Sequence, residues 1–210
     1  MRKKLISILN EYYKIPYIIS KIFKIDSDNF VNKEMQINCM VAEEYTDKYV
    51  TYRLRPKREL EIPIINIEKN PNKIAIVLQG PLMLADNFTV ESALFYKRCY
   101  PDAFIIVSTW NDADEDALRI LKNKGVEVVV SQLPSAPGHI NINYQVVSTL
   151  AGIRKAKEMG ADYVCKTRTD QRLYHPNALN YLWNLVKLFP VNNEDFQHDQ
   201  SERFVSVCMP

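Results

Sequence analysis

Residues 74–81 are Ile74-Ala75-Ile76-Val77-Leu78-Gln79-Gly80-Pro81, an apolar run that ends in a polar residue, a glycine and a proline. Further short apolar runs follow it, separated by segments whose apolar residues recur with the period of a helix. They lie at Phe104–Val107, Val126–Val130 and Tyr163–Cys165. Apolar strands that alternate with helices are typical of a parallel sheet covered on both faces. The sequence therefore predicts a doubly wound, mostly parallel α/β sheet of the Rossmann-like kind.

This regular pattern predicts an α/β domain over residues 71–210, with residues 1–70 as an N-terminal extension. Near the end of the chain, Phe204 to Val207 is predicted to begin another strand. We therefore expect the α/β domain to be truncated at its C-terminus.

Two helices of the α/β domain have recognisable starts. Thr89 is predicted to cap the helix that carries Val90 and Leu94, because a threonine oxygen accepts hydrogen bonds from the first turn of a helix. A later helix begins near Asn141 and has one apolar stripe with spacings of four, four and three residues. The stripe consists of Ile142, Val146, Leu150 and Ile153.

The first 23 residues have apolar side chains at intervals of three and four between lysines, which predicts an amphipathic N-terminal helix. The apolar positions are Ile8, Tyr12, Ile15, Ile19, Ile22 and Phe23. Such a helix either lies on an anionic membrane surface as a peripheral contact or packs against the main domain. Farther along, Ile37–Ala42 and Tyr49–Leu54 are rich in β-forming residues and flank a polar turn, which predicts a β-hairpin.

The composition excludes several classes of function. A formal net charge of +2 provides no concentrated basic field for a nucleic-acid backbone, so we expect no nucleic-acid partner. The four cysteines contain no C-x-x-C pair, which argues against a zinc or dithiol site and indicates thiols in a reducing compartment. No stretch of the sequence comes close to the roughly 18 consecutive apolar residues that a membrane-spanning helix needs. We expect a cytoplasmic protein, at most peripheral at the inner face of the membrane.

Ligands of an open parallel sheet bind beyond the carboxyl ends of its strands, where loops converge and helix N-termini point toward the site. Three loops at these positions are polar. They are Gln79-Gly80-Pro81, the loop after Phe104–Val107 with Thr109 and Trp110, and Lys166–Arg172. Gly80 either lets the backbone approach a ligand or makes a tight turn without one. Trp110 either stacks on a flat ring or covers the end of the sheet.

The segment Lys166–Arg172 has three cations and one carboxylate directly after a predicted strand. Lys166, Arg168 and Arg172 are predicted to neutralise a diphosphate, since arginine makes paired hydrogen bonds to phosphate oxygens. Asp170 is predicted to hold a divalent metal on the phosphates or to hydrogen-bond a ribose or sugar hydroxyl. The alternative is that Asp170 forms a surface ion pair with a neighbouring arginine.

Several separated motifs occur in an order that resembles a known family. They are Ile76–Pro81, Tyr100-Pro101 leading to Ser108-Thr109-Trp110, Asn143-Tyr144-Gln145 followed by Ser148, Thr149 and Gly152, and Lys166–Asp170. In these motifs, residues 73 to about 190 resemble the WavE-type lipopolysaccharide-synthesis proteins.

The resemblance implies a glycosyltransferase of the GT-A fold that acts on the cytoplasmic side of the membrane in the synthesis of lipopolysaccharide or another bacterial surface glycan. Its partners would be a nucleotide-sugar donor and a glycan or lipid-linked acceptor. It places Gln79, Gly80 and Pro81 in the first nucleotide-contacting loop. With the residues argued from the strand ends and the motifs, the predicted nucleotide-sugar-binding residues are Gln79, Gly80, Pro81, Thr109, Trp110, Asn143, Gln145, Lys166 and Arg172. The alternative to an enzyme is a noncatalytic nucleotide-sugar-binding or scaffold module of a membrane-associated glycan-assembly complex.

Asp170 matches the last aspartate of the Asp-x-Asp motif that the resemblance implies, and Arg168 replaces the first one. One carboxylate beside three cations is a poor divalent site, so a Mn²⁺ or Mg²⁺ cofactor bound by Asp170 is an open prediction. Arg168 and Lys166 are predicted to stabilise the leaving diphosphate in place of a metal. Asp170 and Arg168 are therefore the predicted catalytic residues.

Asp112-Ala113-Asp114 matches the same metal motif letter for letter. We interpret these carboxylates instead as residues of a helix start, with Asp112 and Glu115 forming a capping box. Acidic side chains are expected at a helix N-terminus because they complement its dipole.

Overall fold

The computed structural model describes much of the chain. The described residues are 14–15, 18–19, 21–23, 27–46, 50, 52, 55–62, 72–191 and 202–206. Two units divide the chain, Met1–Arg55 and Pro56–Pro210. The domain boundary predicted near residue 70 stays a prediction, since residues 63–71 lie outside the described residues.

A four-stranded sheet with all strands parallel lies at the centre of the unit Pro56–Pro210. Its strands are β1 (Ile74–Gln79), β2 (Phe104–Trp110), β3 (Glu127–Ser131) and β4 (Tyr163–Arg168), in the order β3-β2-β1-β4. Every residue of β1 is buried, because β1 has a strand on each edge and a covered surface on each face. The predicted parallel sheet is confirmed, and each predicted apolar run lies largely within one strand.

Helices of the unit Pro56–Pro210 connect these strands and cover both faces of the sheet. The unit Met1–Arg55 contains the helix α1 (Ser27–Tyr45), and the unit Pro56–Pro210 contains α2 (Phe88–Cys99), α3 (Glu115–Asn123), α4 (Ile142–Glu158) and α5 (Ala178–Leu188). Short 3₁₀ helices lie at Glu59–Glu61, Ala85–Asn87 and His139–Asn141. Tyr96 of α2 and Leu121 of α3 belong to one buried cluster with Ile76, whereas Ala156 of α4 belongs to a second cluster with Val77. Successive residues of a strand point to opposite faces, so α2 and α4 cover opposite sides and the doubly wound fold is confirmed.

The face of α4 that packs on the sheet consists of small side chains. Ser148, Gly152 and Ala156 are its buried residues. A Cβ atom built on Gly152 would lie 2.4 Å from Val77 Cγ1, so the helix lies too close to the strands for larger side chains. The apolar stripe found in the sequence lies largely outside this contact, with Ile142 49%, Val146 53% and Leu150 42% exposed. The helix itself begins at the predicted position.

The predicted β-hairpin is wrong in its first strand, because Ile37–Ala42 lies inside α1. Within α1, the half-buried side chains of Val31, Met35 and Cys39 recur every four residues, whereas Ile37 and its neighbours Met40 and Val41 are exposed. This spacing is that of one helix face, and Met, Gln, Glu and Ala around it favour a helix. Most of Tyr49–Leu54 lies outside the described residues.

The predicted N-terminal helix is supported at its described positions, since residues 14, 15, 18, 19, 21 and 22 are helical. The remainder of residues 1–23, apart from Phe23, lies outside the described residues. None of the helices in the described ranges combines the length and the hydrophobicity required to cross a bilayer.

The strand predicted from Phe204 is not formed over residues 204–206. Phenylalanine and valine favour strands only when a neighbouring strand provides pairing and packing, and these residues have no such partner strand in the described part of the chain. The predicted truncation of the domain stays a prediction.

The close contact of α4 with β1 predicts that Gly152→Ala destabilises the protein by about 1–3 kcal/mol, because the added methyl group collides with Val77 in a filled interior. Urea denaturation followed by circular dichroism measures this change. Leu150→Ala on the exposed stripe is the control and should stay within about 0.5 kcal/mol of the parent. A larger loss for Leu150→Ala than for Gly152→Ala would contradict this account of the packing face.

Candidate functional site

The carboxyl ends of β1 and β4 lie side by side and form the switch point of the sheet. From β1 the chain proceeds through α2 to β2 on one side, and it returns through α4 to β4 on the other side of β1. The carboxyl edge of the sheet beside such a switch point is the usual ligand site of open α/β sheets. The loops after β1 and β4 at this edge are Gly80 to Leu84 and Thr169 to Gln171.

Gly80 makes the turn that lets these two loops meet. Its φ angle of 123° is one that other residues rarely adopt, and a Cβ atom there would lie 3.0 Å from Thr169 Oγ1. The Gly80 N–H donates to the carbonyl of Ser108 at 3.0 Å. Gly80 therefore makes a tight turn against Thr169 of the same chain, and its predicted contact with a ligand stays a prediction.

Thr169 joins the loops of β1 and β4, a role that sequence reasoning missed. Its N–H donates to the carbonyl of Gln79 at 3.1 Å, and its hydroxyl donates to the carbonyl of Pro81 at 2.6 Å. Thr169 is buried, as is Thr89, whose hydroxyl donates to the Thr169 carbonyl at 2.9 Å and accepts from Met83 N–H at 2.8 Å. The predicted cap role of Thr89 is therefore wrong, because α2 begins before it and its hydroxyl bonds the two loops.

Lys166 and Arg168 project from the same face of the sheet as α4. In the parallel register Val77 pairs with Lys166 and Gln79 pairs with Arg168, and residues paired in this way point to the same side. Val77 and Gln79 are covered by α4 on that side, but Lys166 and Arg168 at the edge strand remain exposed. Two cationic side chains are therefore available at the switch point.

Arg172 does not lie with these two cations, and its placement argues against its predicted role in binding a diphosphate, which stays a prediction. Its guanidinium is buried against α2, where Nε donates to Ser92 Oγ at 2.9 Å and Nη2 donates to the Phe88 carbonyl at 3.3 Å. Nη1 donates to the carbonyls of Pro56 and Lys57, and the guanidinium also lies over the Phe88 ring. Since four of its five N–H donors bind the protein, Arg172 acts as a structural clamp.

Asp170 forms a two-point ion pair with Arg168. Asp170 Oδ1 accepts from Arg168 Nε at 2.8 Å, and Oδ2 accepts from Nη2 at 2.7 Å. These hydrogen bonds lower the pKa of the Asp170 carboxyl and raise the pKa of the Arg168 guanidinium. Partial burial is the largest cause that lowers the pKa of the Lys166 ammonium, and the nearby charge of Arg168 adds to it. The surface ion pair left open by the sequence is the arrangement observed.

The residues present do not fit a divalent metal at Asp170. Both of its oxygens already accept from Arg168, and a cation would compete with that guanidinium. In the part of the chain that the structure describes, no three His, Cys, Asp or Glu side chains group as metal ligands.

The Asp112-Ala113-Asp114 stretch is a helix start, as interpreted from the sequence. The cap is Asp114 and not Asp112, and its carboxylate accepts from Ala117 N–H at 2.8 Å.

Three predicted ligand residues lie inside the protein. The Ser148 hydroxyl lies 2.7 Å from the Gln79 amide oxygen, which ties the end of β1 to α4. Trp110 is buried with its ring edge-on to Tyr144 at 5.8 Å, so it covers the sheet end. Thr109 is fully buried, and its hydroxyl has no hydrogen-bond partner in the described residues. Ligand contact by Gln79, Thr109 and Trp110 stays a prediction, and their burial argues against it.

Asn143 and Gln145 lie in the first turn of α4 and hold the loop before it. Asn143 Nδ2 donates to the Ala136 carbonyl at 3.1 Å, and Gln145 Nε2 donates to the Ile140 carbonyl at 3.4 Å. Asn143 is exposed. Its contact with a ligand stays a prediction.

Replacing Arg172 should destabilise the protein more than replacing Arg168. Arg172→Met should lower the free energy of unfolding by about 2–4 kcal/mol, because it removes the buried hydrogen bonds of the guanidinium to Ser92 and to the carbonyls of Pro56, Lys57 and Phe88. Arg168→Met, the matched control, should cost less than about 1 kcal/mol, since it removes an exposed ion pair. Chemical denaturation compares the two variants, and equal losses would contradict the clamp role.

The Asp170–Arg168 pair should be visible in the titration of Asp170. We expect its pKa to lie below the usual aspartate value and to return toward it in Arg168→Gln, because the guanidinium stabilises the charged carboxylate. A carboxyl with a depressed folded pKa stabilises the protein above its unfolded pKa, and this contribution is lost as pH falls through the folded pKa. Carbon-13 NMR of the Asp170 carboxyl measures the shift. An unchanged pKa in Arg168→Gln would argue against the pair, and Arg119→Gln on α3 is the control.

Comparison with known proteins identifies the family of this chain. A family model described as WavE lipopolysaccharide synthesis matches residues 74–206. No curated protein and no solved structure gives a match. The matched region is more than half of the chain and includes all four strands, the Gly80 turn and the Lys166–Asp170 segment. The resemblance predicted from separated motifs is confirmed, and the chain belongs to the WavE lipopolysaccharide synthesis family.

Proposed function

We propose that this chain is the nucleotide-sugar-binding part of a glycosyltransferase that acts in lipopolysaccharide or other surface-glycan synthesis. The observation that carries the proposal is the exposure of Lys166 and Arg168 at the switch point of a doubly wound sheet. Membership of a family named for lipopolysaccharide synthesis supports it. The GT-A fold, the donor and the acceptor named below are parts of the same proposal.

The proposed chemistry uses positive charge at the bond that breaks. When a nucleotide-sugar loses its sugar, negative charge develops on the departing nucleoside diphosphate. A lysine and an arginine aimed at this charge lower the barrier, because they stabilise the transition state more than the substrate. Lys166 and Arg168 are the residues assigned to this role. Gly80 and Pro81 shape the loop that the nucleotide meets.

Binding of a diphosphate would change the partner of Arg168. In the free protein the Arg168 guanidinium is satisfied by Asp170, and phosphate oxygens offer the same two-point geometry. A bound diphosphate therefore replaces Asp170 as the hydrogen-bond partner of the guanidinium. The Asp170 carboxylate is then available to accept a hydrogen bond from a sugar or ribose hydroxyl. No step in this proposal requires Mn²⁺ or Mg²⁺.

The proposed acceptor is a glycan or a lipid-linked saccharide at the cytoplasmic face of the membrane. Nucleotide-sugar donors and such acceptors match the glycan chemistry that the family name indicates. The protein would then work in the cytoplasm, at or near the inner membrane surface.

A noncatalytic nucleotide-sugar-binding or scaffold module is the second candidate, and one observation favours it. Asp170 is the acidic residue of the Lys166–Arg172 segment, and its carboxylate is neutralised by Arg168. A general base needs a carboxylate that is available to accept a proton. If Asp170 stays paired when the donor binds, the protein binds sugar nucleotides without transferring the sugar.

Titration calorimetry with UDP and GDP, each with and without Mn²⁺, tests the binding step. We expect binding without metal and a loss of roughly tenfold or more in affinity for Arg168→Ala and for Lys166→Ala, because each removes a charge-assisted hydrogen bond. Arg119→Ala is the matched control, since it also breaks an exposed Arg–Asp pair, at 2.7 Å, but lies on α3. It should leave the affinity unchanged.

Absence of binding with and without Mn²⁺, or equal effects of Arg119→Ala and Arg168→Ala, would refute the proposed site.

Release of free sugar from bound UDP- or GDP-sugars distinguishes the enzyme from the noncatalytic module. Slow hydrolysis that is lost in Asp170→Asn supports the enzyme, and tight binding without hydrolysis supports the noncatalytic module.

A further inference from the structure

A stripe of exposed apolar side chains lies on helical residues near the N-terminus and on the turn residue that follows them. We call Ile15, Ile18, Ile19, Ile22 and Phe23 the N-terminal stripe. Its isoleucines are separated by three, one and three residues, which places them on one face of a helix. Ile18 is 53% exposed, Ile22 68% and Phe23 71%. Large apolar side chains grouped on one exposed face usually mark a surface that another molecule covers.

Positive charge is concentrated in the same part of the sequence. Residues 1–24 contain six Lys and Arg residues and one Glu, a net charge of +5. The whole chain has 27 Lys and Arg against 25 Asp and Glu, so residues 25–210 have 21 against 24 and a net charge of −3. The basic residues concerned are Arg2, Lys3, Lys4, Lys14, Lys21 and Lys24.

We propose that the N-terminal stripe inserts into the surface of an anionic lipid bilayer. A helix with one apolar face and many lysines binds at such an interface, with its apolar side chains among the acyl chains and its lysines near acidic headgroups. A protein partner fits less well, because lysine is depleted in the buried centres of protein interfaces. The occupant that matches both the apolar residues and the charge is the anionic membrane surface.

This contact deepens the proposed function, because a lipid-linked acceptor is carried in a membrane. The lipid contact rests on the proposed function only for its biological purpose. Its test does not, since vesicle binding is measured without any sugar nucleotide. Failure of lipid binding would leave the nucleotide titrations untouched. Failure of nucleotide binding would likewise leave the lipid contact standing.

Co-sedimentation of the full chain with vesicles of phosphatidylcholine containing 30% phosphatidylglycerol, or of phosphatidylcholine alone, tests the contact at two salt concentrations. We expect binding to the anionic vesicles that weakens as salt screens the lysines, and little binding to the neutral ones. Ile18→Asp with Ile22→Asp should lower partitioning by roughly tenfold or more, because each change removes buried apolar area and adds negative charge.

The matched control is Val146→Asp with Leu150→Asp, on the stripe of α4. These side chains are 53% and 42% exposed, so the control makes the same chemical change at another exposed apolar surface. It should bind vesicles like the parent. Equal loss in both double variants, or equal binding of the parent to neutral and anionic vesicles, would overturn the proposal. Salt-independent binding of the parent would do so as well, and it needs no variant to fold.

Discussion

The hydrogen-bonded pairing of β4 with β1 determines the carboxyl edge of this sheet. It places Arg168 beside Gln79 and Lys166 beside Val77, so both cations emerge next to the Gly80 turn. Thr169 then continues the pairing beyond the strands by bonding the carbonyls of Gln79 and Pro81. Because β4 follows β3 in the chain but pairs with β1, this one contact also creates the switch point at which ligands of such sheets bind.

The charged side chains of β4 and of the turn after it are separated by the geometry of the strand. Lys166 and Arg168 are two residues apart and point to one face, with Asp170 bonded to Arg168. Arg172, beyond the turn, is buried against α2. Three cations that look equivalent in the sequence thus have different roles. Two are exposed at the switch point, and the third joins the backbone at Pro56 and Lys57 to α2.

Close packing explains why an apolar stripe on α4 is left exposed. The contact between α4 and the sheet admits only Ser148, Gly152 and Ala156, since a single added Cβ at Gly152 would collide with Val77. Hydrophobicity alone indicates Ile142 and Val146 as the packing face. The short distance between α4 and β1 instead requires small residues on the packing face. Small side chains let the two backbones approach closely, so the helix and the sheet make more van der Waals contacts.

The sequence by itself determined the class of fold, because unbroken apolar runs of strand length between helical segments are compatible with little except a parallel sheet covered on both sides. It also determined the family, since several motifs in a fixed order are specific. Only the tertiary structure decided that Ile37–Ala42 is helical, that Arg172 is a clamp and that Asp170 is paired. Each of these depends on which groups lie nearby in space, and local propensity and residue spacing do not contain that information.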